Sequence, residues 1–206
     1  MYDLYNRYTE LKALSDDIES ALSIIGNCFA AGGKLLLCGN GGSASDCDHI
    51  VGELMKGFMK KRRLDENKRT AMKSAYPDIE SKVLDLLQCG LPAISLPSAV
   101  AFNTAFANDE SAELIYAQGI MALGKKGDTL LCISTSGNSS NVVYAAEVAV
   151  ALGVRTVALT GAGGGRLGKI CECCIAVPER ETYLVQQLHL PIYHYLCARL
   201  EERFFS

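Results

Sequence analysis

The 206-residue sequence has no long run of uncharged apolar residues. None of its apolar stretches approaches the ~20 consecutive residues that a membrane-spanning helix requires. The first twenty residues mix acidic, basic and apolar side chains, so they also lack the apolar centre of a secretory signal peptide. These two absences predict a cytoplasmic protein that does not enter a membrane.

An excess of positive charge is missing as well. Twenty lysines and arginines against 23 aspartates and glutamates give a formal net charge of −3, which argues against direct, general binding of nucleic acids. This small charge does not exclude an anionic ligand, because a few oriented backbone amides can outweigh it locally. A chain of this length is expected to form one domain, residues 1–206, whose core needs no disulfides.

The nine cysteines form no recognisable pattern. An odd, scattered number in a chain without a signal peptide predicts reduced thiols, several of them buried. The segment Cys171–Cys174 has a C-x-x-C spacing, but no second such pair and no nearby histidine accompanies it. A metal or redox role is therefore not favoured, and the alternative is small apolar side chains entering a strand.

The sequence does contain a regular alternation of short apolar runs and helical patterns. The five runs that we interpret as buried strands are Lys34–Cys38, Leu91–Leu96, Thr129–Ser134, Val154–Gly161 and Cys173–Pro178. Apolar strands that alternate with helices are typical of a parallel sheet covered on both faces. We therefore predict a three-layer α/β/α sandwich with five parallel strands. Long helices are expected over the first thirty residues and over Thr182–Phe204, where Pro191 would bend the chain.

Two loops rich in glycine and serine follow the first and third predicted strands, at Gly39–Ser43 and Ser134–Ser140. Each leads into a helix, so glycines, hydroxyls and the N–H groups of a helix N-terminus would form a phosphate cradle. Neither loop is a nucleotide motif, because Ala44 replaces the third glycine of G-x-G-x-x-G and no Walker A sequence occurs. Ser43 or Ser45 is expected to cap the helix that follows the first loop and runs to about Phe58. The alternative is that both loops are ordinary turns with helix caps.

The chain has only three histidines, at positions 49, 189 and 194. His49 and Glu53 are four residues apart on the helix after the first loop, so they share a face that can point into the phosphate cleft. His189 and His194 lie close together on the last predicted helix. From the residues alone a surface ion pair and packed core histidines remain the alternatives.

The stretches "CGNGGSASD" and "ISTSGNSSNVV" resemble the SIS (sugar isomerase) domain, and the second stretch is the more specific. The arrangement is similar to the phosphoheptose isomerase branch, which interconverts sedoheptulose 7-phosphate and D-glycero-mannoheptose 7-phosphate. The similarity covers nearly the whole chain. It implies a flavodoxin-like sheet, an aldose–ketose isomerase and a homotetramer in which neighbouring subunits complete the sites.

The resemblance also implies roles for individual residues. In this branch the last helix carries a Gln and, eight residues later, a His that face the site, which correspond to Gln186 and His194. Together with His49 and Glu53 they are the implied ligands of a Zn²⁺ ion. The implied substrate-binding residues are Asn40, Gly41, Gly42, Ser43, Asn108, Asp109, Ser134, Thr135, Ser136, Ser139 and Gln186. For Asn108 and Asp109 an Asx-type helix cap is the alternative, and His189 is assigned a packing or supporting role.

The chemistry of the implied reaction suits these side chains. Exchange between a ketose and an aldose moves a proton between C1 and C2 through a cis-enediol, which needs a base and an acid. Glu53 is the expected base, because a carboxylate screened from water becomes more basic. His194 is the expected acid, because imidazole exchanges protons near neutral pH. A bound metal would polarise the carbonyl.

The sequence departs from the branch at three places. Ala44 stands where a histidine is common, no arginine follows Glu53 in register, and the segment Lys60–Leu91 is longer than expected. We expect the charge-dense run in this insertion to be a solvated loop. A patch that steers phosphate or binds a partner is the alternative.

A non-catalytic protein is the alternative function. The same fold serves in phosphosugar-binding regulators and in a partner of the bacterial replication initiator, and fold alone does not separate these from enzymes. A sensor needs the serine loops but has no need of a base and an acid. The presence of Glu53, Gln186 and His194 therefore favours the isomerase.

Overall fold

The computed structural model describes residues 3–205, and its centre is a five-stranded, all-parallel sheet. The strands are β1 (Leu35–Gly39), β2 (Ala93–Ser95), β3 (Thr129–Ser134), β4 (Arg155–Thr160) and β5 (Cys173–Ala176). Their order across the sheet is β2-β1-β3-β4-β5. The predicted five-stranded parallel sheet of flavodoxin-like order is confirmed.

Helices connect the strands and cover the sheet. They are α1 (Leu4–Arg7), α2 (Ser15–Ala30), α3 (Gly42–Met55), α4 (Glu66–Ala75), α5 (Ser81–Leu86), α6 (Val100–Phe106), α7 (Ile115–Leu123), α8 (Ser140–Ala151), α9 (Leu167–Ile170) and α10 (Thr182–Phe204). Among residues 3–205 no helix is both long enough and apolar enough to cross a bilayer.

Successive side chains of a strand enter opposite cores. Leu35 and Leu37 of β1 pack into the core closed by α2, α3 and α10, whereas Leu36 and Cys38 pack into the core closed by α7 and α8. This alternation follows from the period of two along a strand and produces the three layers. All nine cysteines, which lie within the described residues, are free thiols, and Cys38 is fully buried among apolar side chains.

The N-terminal region is not the single long helix that we predicted. The chain forms α1, a 3₁₀ helix at Thr9–Leu14 and then α2. The break falls at Tyr8, whose backbone leaves the helical region with φ −126° and ψ 78°. An aromatic residue followed by β-branched Thr9 has low helix propensity. Leu4 and Leu11 are nevertheless fully buried, so the apolar spacing predicted burial but not continuity.

The charge-dense run in the insertion, residues 60–70, is only partly the solvated loop that we predicted. Most of its side chains are exposed, but α4 begins within it at Glu66, and Arg62 is 3% exposed. Arg62 forms an ion pair with Glu201 of α10, with 2.7 Å between Nε and Oε1. The sequence does not reveal this burial, because the partner lies 139 residues further along the chain.

The C-terminal helix α10 has the predicted bounds and continues through a buried Pro191. It packs against α2 and α3, so it closes one face of the sheet. The bend expected at Pro191 stays a prediction. Because α10 crosses α3, side chains from the two ends of the chain meet at this crossing.

Candidate active site

The loops after β1 and β3 lie side by side at the carboxyl ends of the strands. From β1 the chain moves outward to β2 and then returns to β3 on the other side of β1. Ligands of open parallel sheets bind at such a reversal of strand order. A cavity of about 260 Å³ opens at this point. It is lined by Asn40, Gly41, Gly42, Ser43, Ile133, Ser134, Thr135, Ser139, Thr182 and Gln186. We call it the loop cavity.

The first loop turns at Gly41, whose φ of +55° favours glycine. No side-chain cap precedes α3, so the prediction of a serine cap is wrong. Ser43 lies instead in the first helical turn, where it is buried and lines the loop cavity. The hydroxyl of Ser45 donates to the carbonyl of Gly41 at 3.5 Å.

The two loops are fixed relative to each other by hydrogen bonds. The amides of Asn40 and Asn141 donate to each other's carbonyl oxygens, at 2.8 and 2.9 Å. The hydroxyl of Tyr116 donates to the carbonyl of Gly39 at 2.7 Å. The cavity between the loops is therefore held open before any ligand enters, which reduces the cost of binding.

Hydroxyl groups form part of the polar lining of the loop cavity. Ser134 and Ser139 lie 3.0 Å apart, Oγ to Oγ, so each can turn its proton toward the other or toward a ligand. Thr182 adds a hydroxyl from the first turn of α10. The sequence interpretation missed Thr182, although its position four residues before Gln186 places it on the same helix face.

Gln186 enters the cavity over Gly42. A Cβ atom built at Gly42 would lie 2.4 Å from Nε2 of Gln186, so only a glycine leaves room for this amide. The first loop and the last helix therefore contact each other at Gly42 and Gln186, as predicted.

Ser136 faces a neighbouring cavity rather than the loop cavity. This second cavity, of about 370 Å³, is lined by Thr135, Ser136, Asn138, Ala162, Gly163, Gly165 and Arg180. Thr135 borders both cavities. The second cavity continues the polar surface of the loop after β3.

Asn108 and Asp109 line neither cavity. They lie exposed in a π-helical turn at Ala107–Ser111, where the amide of Asn108 donates to Asp109 Oδ1 at 2.9 Å. Their contact with a sugar stays a prediction.

His49, Glu53 and His194 meet where α3 crosses α10. His49 Nε2 lies 3.3 Å from Glu53 Oε1 and 3.4 Å from His194 Nε2. The side chain of Glu53 is 15% exposed, and Lys56 Nζ lies 3.2 Å from its other oxygen. The ring of Phe58 packs on His194, with 5.5 Å between ring centroids. A carboxylate and two imidazoles therefore share a partly screened corner.

The surroundings of His194 favour its neutral form. Burial is the main cause that lowers its pKa, and the neighbouring His49 acts in the same direction, while Glu53 opposes the shift. A neutral imidazole can accept or donate a proton near neutral pH.

His189 takes no part in this corner. It is fully buried, and neither ring nitrogen has a hydrogen-bond partner within the described residues. Burial lowers its pKa to about 4, against a smaller opposing effect of the Thr160 backbone. The residue belongs to the core of the molecule.

The implied zinc ligands fit such an ion in their chemistry but not as a complete set. Within residues 3–205 no group of three or more His, Cys, Asp or Glu side chains has the arrangement of a metal site. His49, Glu53 and His194 supply nitrogen and carboxylate donors of the kind that zinc takes. Gln186 lies at the loop cavity, about 12 Å from His194 along the axis of α10.

The sequence matches known proteins over most of its length. The family model of the SIS domain matches residues 3–87 and 84–161. The phosphoheptose isomerase of Rhodospirillum rubrum is 35% identical over 189 residues, which cover 92% of this chain and 87% of that protein.

Two solved structures are also similar. The phosphoheptose isomerase of Francisella tularensis has a TM-score of 0.78 and 31% identity, and GmhA of Neisseria gonorrhoeae has a TM-score of 0.76 and 28% identity. Each alignment covers 95% of this chain and 91% of the other. Sequence and fold thus agree, and the chain belongs to the SIS domain family, among the phosphoheptose isomerases.

Proposed function

We propose that this chain is a sugar-phosphate isomerase that converts sedoheptulose 7-phosphate to D-glycero-mannoheptose 7-phosphate. The observation that supports this reaction best is the meeting of Glu53 and His194 at His49, on the helix that leaves the first serine loop. A protein that only binds phosphosugars has no need of a carboxylate and an imidazole at that corner.

The loop cavity would hold the phosphate. Its hydroxyls from Ser43, Ser134 and Ser139 are short, uncharged donors, and the N-termini of α3 and α8 add a partial positive charge. An anchored phosphate fixes the far end of the sugar, so that C1 and C2 extend toward α10. Positioning of this kind supplies a large share of the rate enhancement.

Glu53 would then remove the carbon-bound proton and return it to the neighbouring carbon. His194 would give a proton to the carbonyl oxygen and take one from the adjacent hydroxyl, so the net charge does not change. Lys56 lies against Glu53, with Nζ 3.2 Å from Oε2. The partial exclusion of water from Glu53 strengthens the proton transfers by Glu53 and by His194.

A Zn²⁺ ion is part of the proposal, with His49, Glu53, Gln186 and His194 as its ligands. The donor chemistry of the first, second and fourth residues supports it, and Gln186 would have to approach from the loop cavity. When bound, the ion would polarise the substrate carbonyl. Metal binding requires neutral histidines and an ionised Glu53, so affinity should fall in acid.

We also propose that the protein is a cytoplasmic homotetramer that binds no nucleic acid directly. An apolar surface supports self-association. Val100 and Met121 are 66% and 62% exposed, and an apolar cavity of about 220 Å³ lies beside them. It is lined by Leu96, Ala99, Phe102, Gly119, Ala122 and Leu123.

The test is incubation with sedoheptulose 7-phosphate in D₂O, followed by ¹H NMR. The expected result is product formation with loss of the exchangeable signal at C1. Glu53→Gln should bind the sugar but reduce turnover by at least about 10³-fold, because the base is lost. Undiminished turnover in this variant would show that the base is a different residue. Tight binding without exchange by the unaltered protein would favour the regulator.

A further inference from the structure

The ring of His49 makes a second contact, on the side away from Glu53. Its Nδ1 lies 3.1 Å from the hydroxyl of Tyr193, the residue before His194 on α10. The same hydroxyl donates to Asp46 Oδ1 at 3.1 Å. Tyr193 is 1% exposed, so water does not compete for these contacts. Asp46 and His49 are three residues apart on α3 and therefore share a face.

We propose that Tyr193, oriented by Asp46, is a positioning residue that fixes the tautomer of His49. This inference rests on the proposed function, because it assigns a task to His49 in that reaction. A phenol has one proton to donate. If the phenol donates its hydrogen bond to Asp46, the phenol oxygen can only accept a hydrogen bond from His49. His49 must then donate from Nδ1.

The surroundings of Asp46 direct the phenol proton to its carboxylate. Within the described residues, Oδ2 of Asp46 is buried without a hydrogen-bond partner, so the Tyr193 hydroxyl is a needed donor to this carboxylate. The direction of the chain of hydrogen bonds is therefore from His49 through Tyr193 to Asp46.

The consequence lies on the other side of the ring. With its proton on Nδ1, His49 presents an unprotonated Nε2 to Glu53 and His194. This nitrogen can accept a hydrogen bond from Nε2–H of His194, which holds His194 in the tautomer with a proton on Nε2. Alternatively, it can coordinate a cation. In the opposite tautomer His49 would donate to Glu53 and weaken it as a base.

The experiment is long-range ¹H–¹⁵N NMR of the three histidines in the protein without substrate or metal, at pH 8. We expect the pattern of an Nδ1-protonated ring for His49. In Tyr193→Phe this pattern should change to a tautomer mixture. In Asp46→Asn, where the amide can donate to the phenol oxygen, it should change to the Nε2-protonated form. Tyr195→Phe is the matched control, because that hydroxyl contacts Glu19 and Arg199 instead.

Kinetics provide the second readout. In Tyr193→Phe kcat should fall about 10- to 100-fold with KM nearly unchanged, because the phosphate contacts remain. If His49 is Nε2-protonated in the unaltered protein, the inference is wrong even if the isomerase is active. This measurement uses the unaltered protein, so it remains possible if a variant fails to fold. Conversely, the expected tautomer in an inactive protein would refute the proposed function and leave this inference standing.

Discussion

Gly42 shows how one absent side chain controls the site. In Gly42→Ala the new Cβ would collide with the amide of Gln186, which is the mobile end of a flexible side chain. The amide should rotate out of the loop cavity while the fold survives. We expect KM for the sugar phosphate to rise about tenfold, the equivalent of one lost hydrogen bond, with the melting temperature nearly unchanged.

Gly52 offers a matched control on the same helix. A Cβ at this position meets no atom within 4 Å. Gly52→Ala should therefore keep the wild-type KM and raise the free energy of unfolding by about 0.5–1 kcal/mol. If Gly42→Ala also kept the wild-type KM, Gln186 would have no part in substrate binding.

The sequence made some of these residues predictable and concealed others. Gln186 and His194 stand out because their spacing has a meaning in a known family. Asp46 and Tyr193 carry no such signal, since Asp46 reads as an ordinary helix residue and Tyr193 as a core aromatic. Their roles depend on the angle at which α10 crosses α3, which no local pattern specifies.

At the scale of helices and loops, the pair Arg62–Glu201 joins the end of α3 to α10. Arg62 donates to the carbonyls of Glu53 and Leu54, the last turn of the helix that carries the proposed base. Glu201 accepts the N–H groups of Phe58 and Met59, each at 2.8 Å. Burial alone would raise the pKa of Glu201, but these N–H groups and Arg62 lower it.

Removal of one partner should be costly, because the other charge stays buried. We expect Arg62→Met to lower the free energy of unfolding by about 3–5 kcal/mol. Adding Glu201→Gln should restore part of this loss, since the uncompensated charge is gone while the amide oxygen still accepts N–H groups. Denaturant titrations of the unaltered protein, of Arg62→Met and of the double variant measure these free energies of unfolding.

The exposed ion pair Arg155–Glu172 is the control for these titrations. Its side chains are 39% and 47% exposed. Arg155→Met should cost no more than about 1 kcal/mol, as is usual for surface pairs. Equal losses for Arg62→Met and Arg155→Met would contradict the proposed importance of the buried pair.

Elements with a strong local signal were predictable. The strand Thr129–Ser134 and the helix Thr182–Phe204 have the predicted bounds, because a continuous apolar run and a long helical pattern each dominate their segment. The helix Val100–Phe106 was missed, since it is short and has no buried residue. The burial of Arg62 was missed because its cause is tertiary.

At the scale of the whole molecule, the exposed apolar surface around Val100 and Met121 supports the proposed tetramer. Four chains of 22.1 kDa would give a particle of about 88 kDa with closed symmetry. Light scattering after size-exclusion chromatography should give this mass. Met121→Lys should reduce it, whereas Tyr183→Lys, on the exposed first turn of α10, should not. A monomer for the unaltered protein would refute the proposal.

The buried His189 should make global stability depend on pH. Its pKa is lowered by burial to about 4 from an ordinary value of 6.5. The unfolded chain therefore takes up the proton first, so this residue's contribution to stability is complete above pH 6.5 and is lost as the pH falls toward 4. Between pH 7 and pH 5 the free energy of unfolding should fall by about 2 kcal/mol through this residue.

Replacement of the imidazole isolates that contribution. In His189→Leu the fall between pH 7 and pH 5 should be about 2 kcal/mol smaller than in the unaltered protein. Urea unfolding at one fixed protein concentration measures it, because association also changes apparent stability. All other ionisable groups are the same in both proteins, so their contributions cancel in the comparison. An equal fall in both proteins would mean that His189 is protonated in the folded core, so that a negative or polar partner must reach it there.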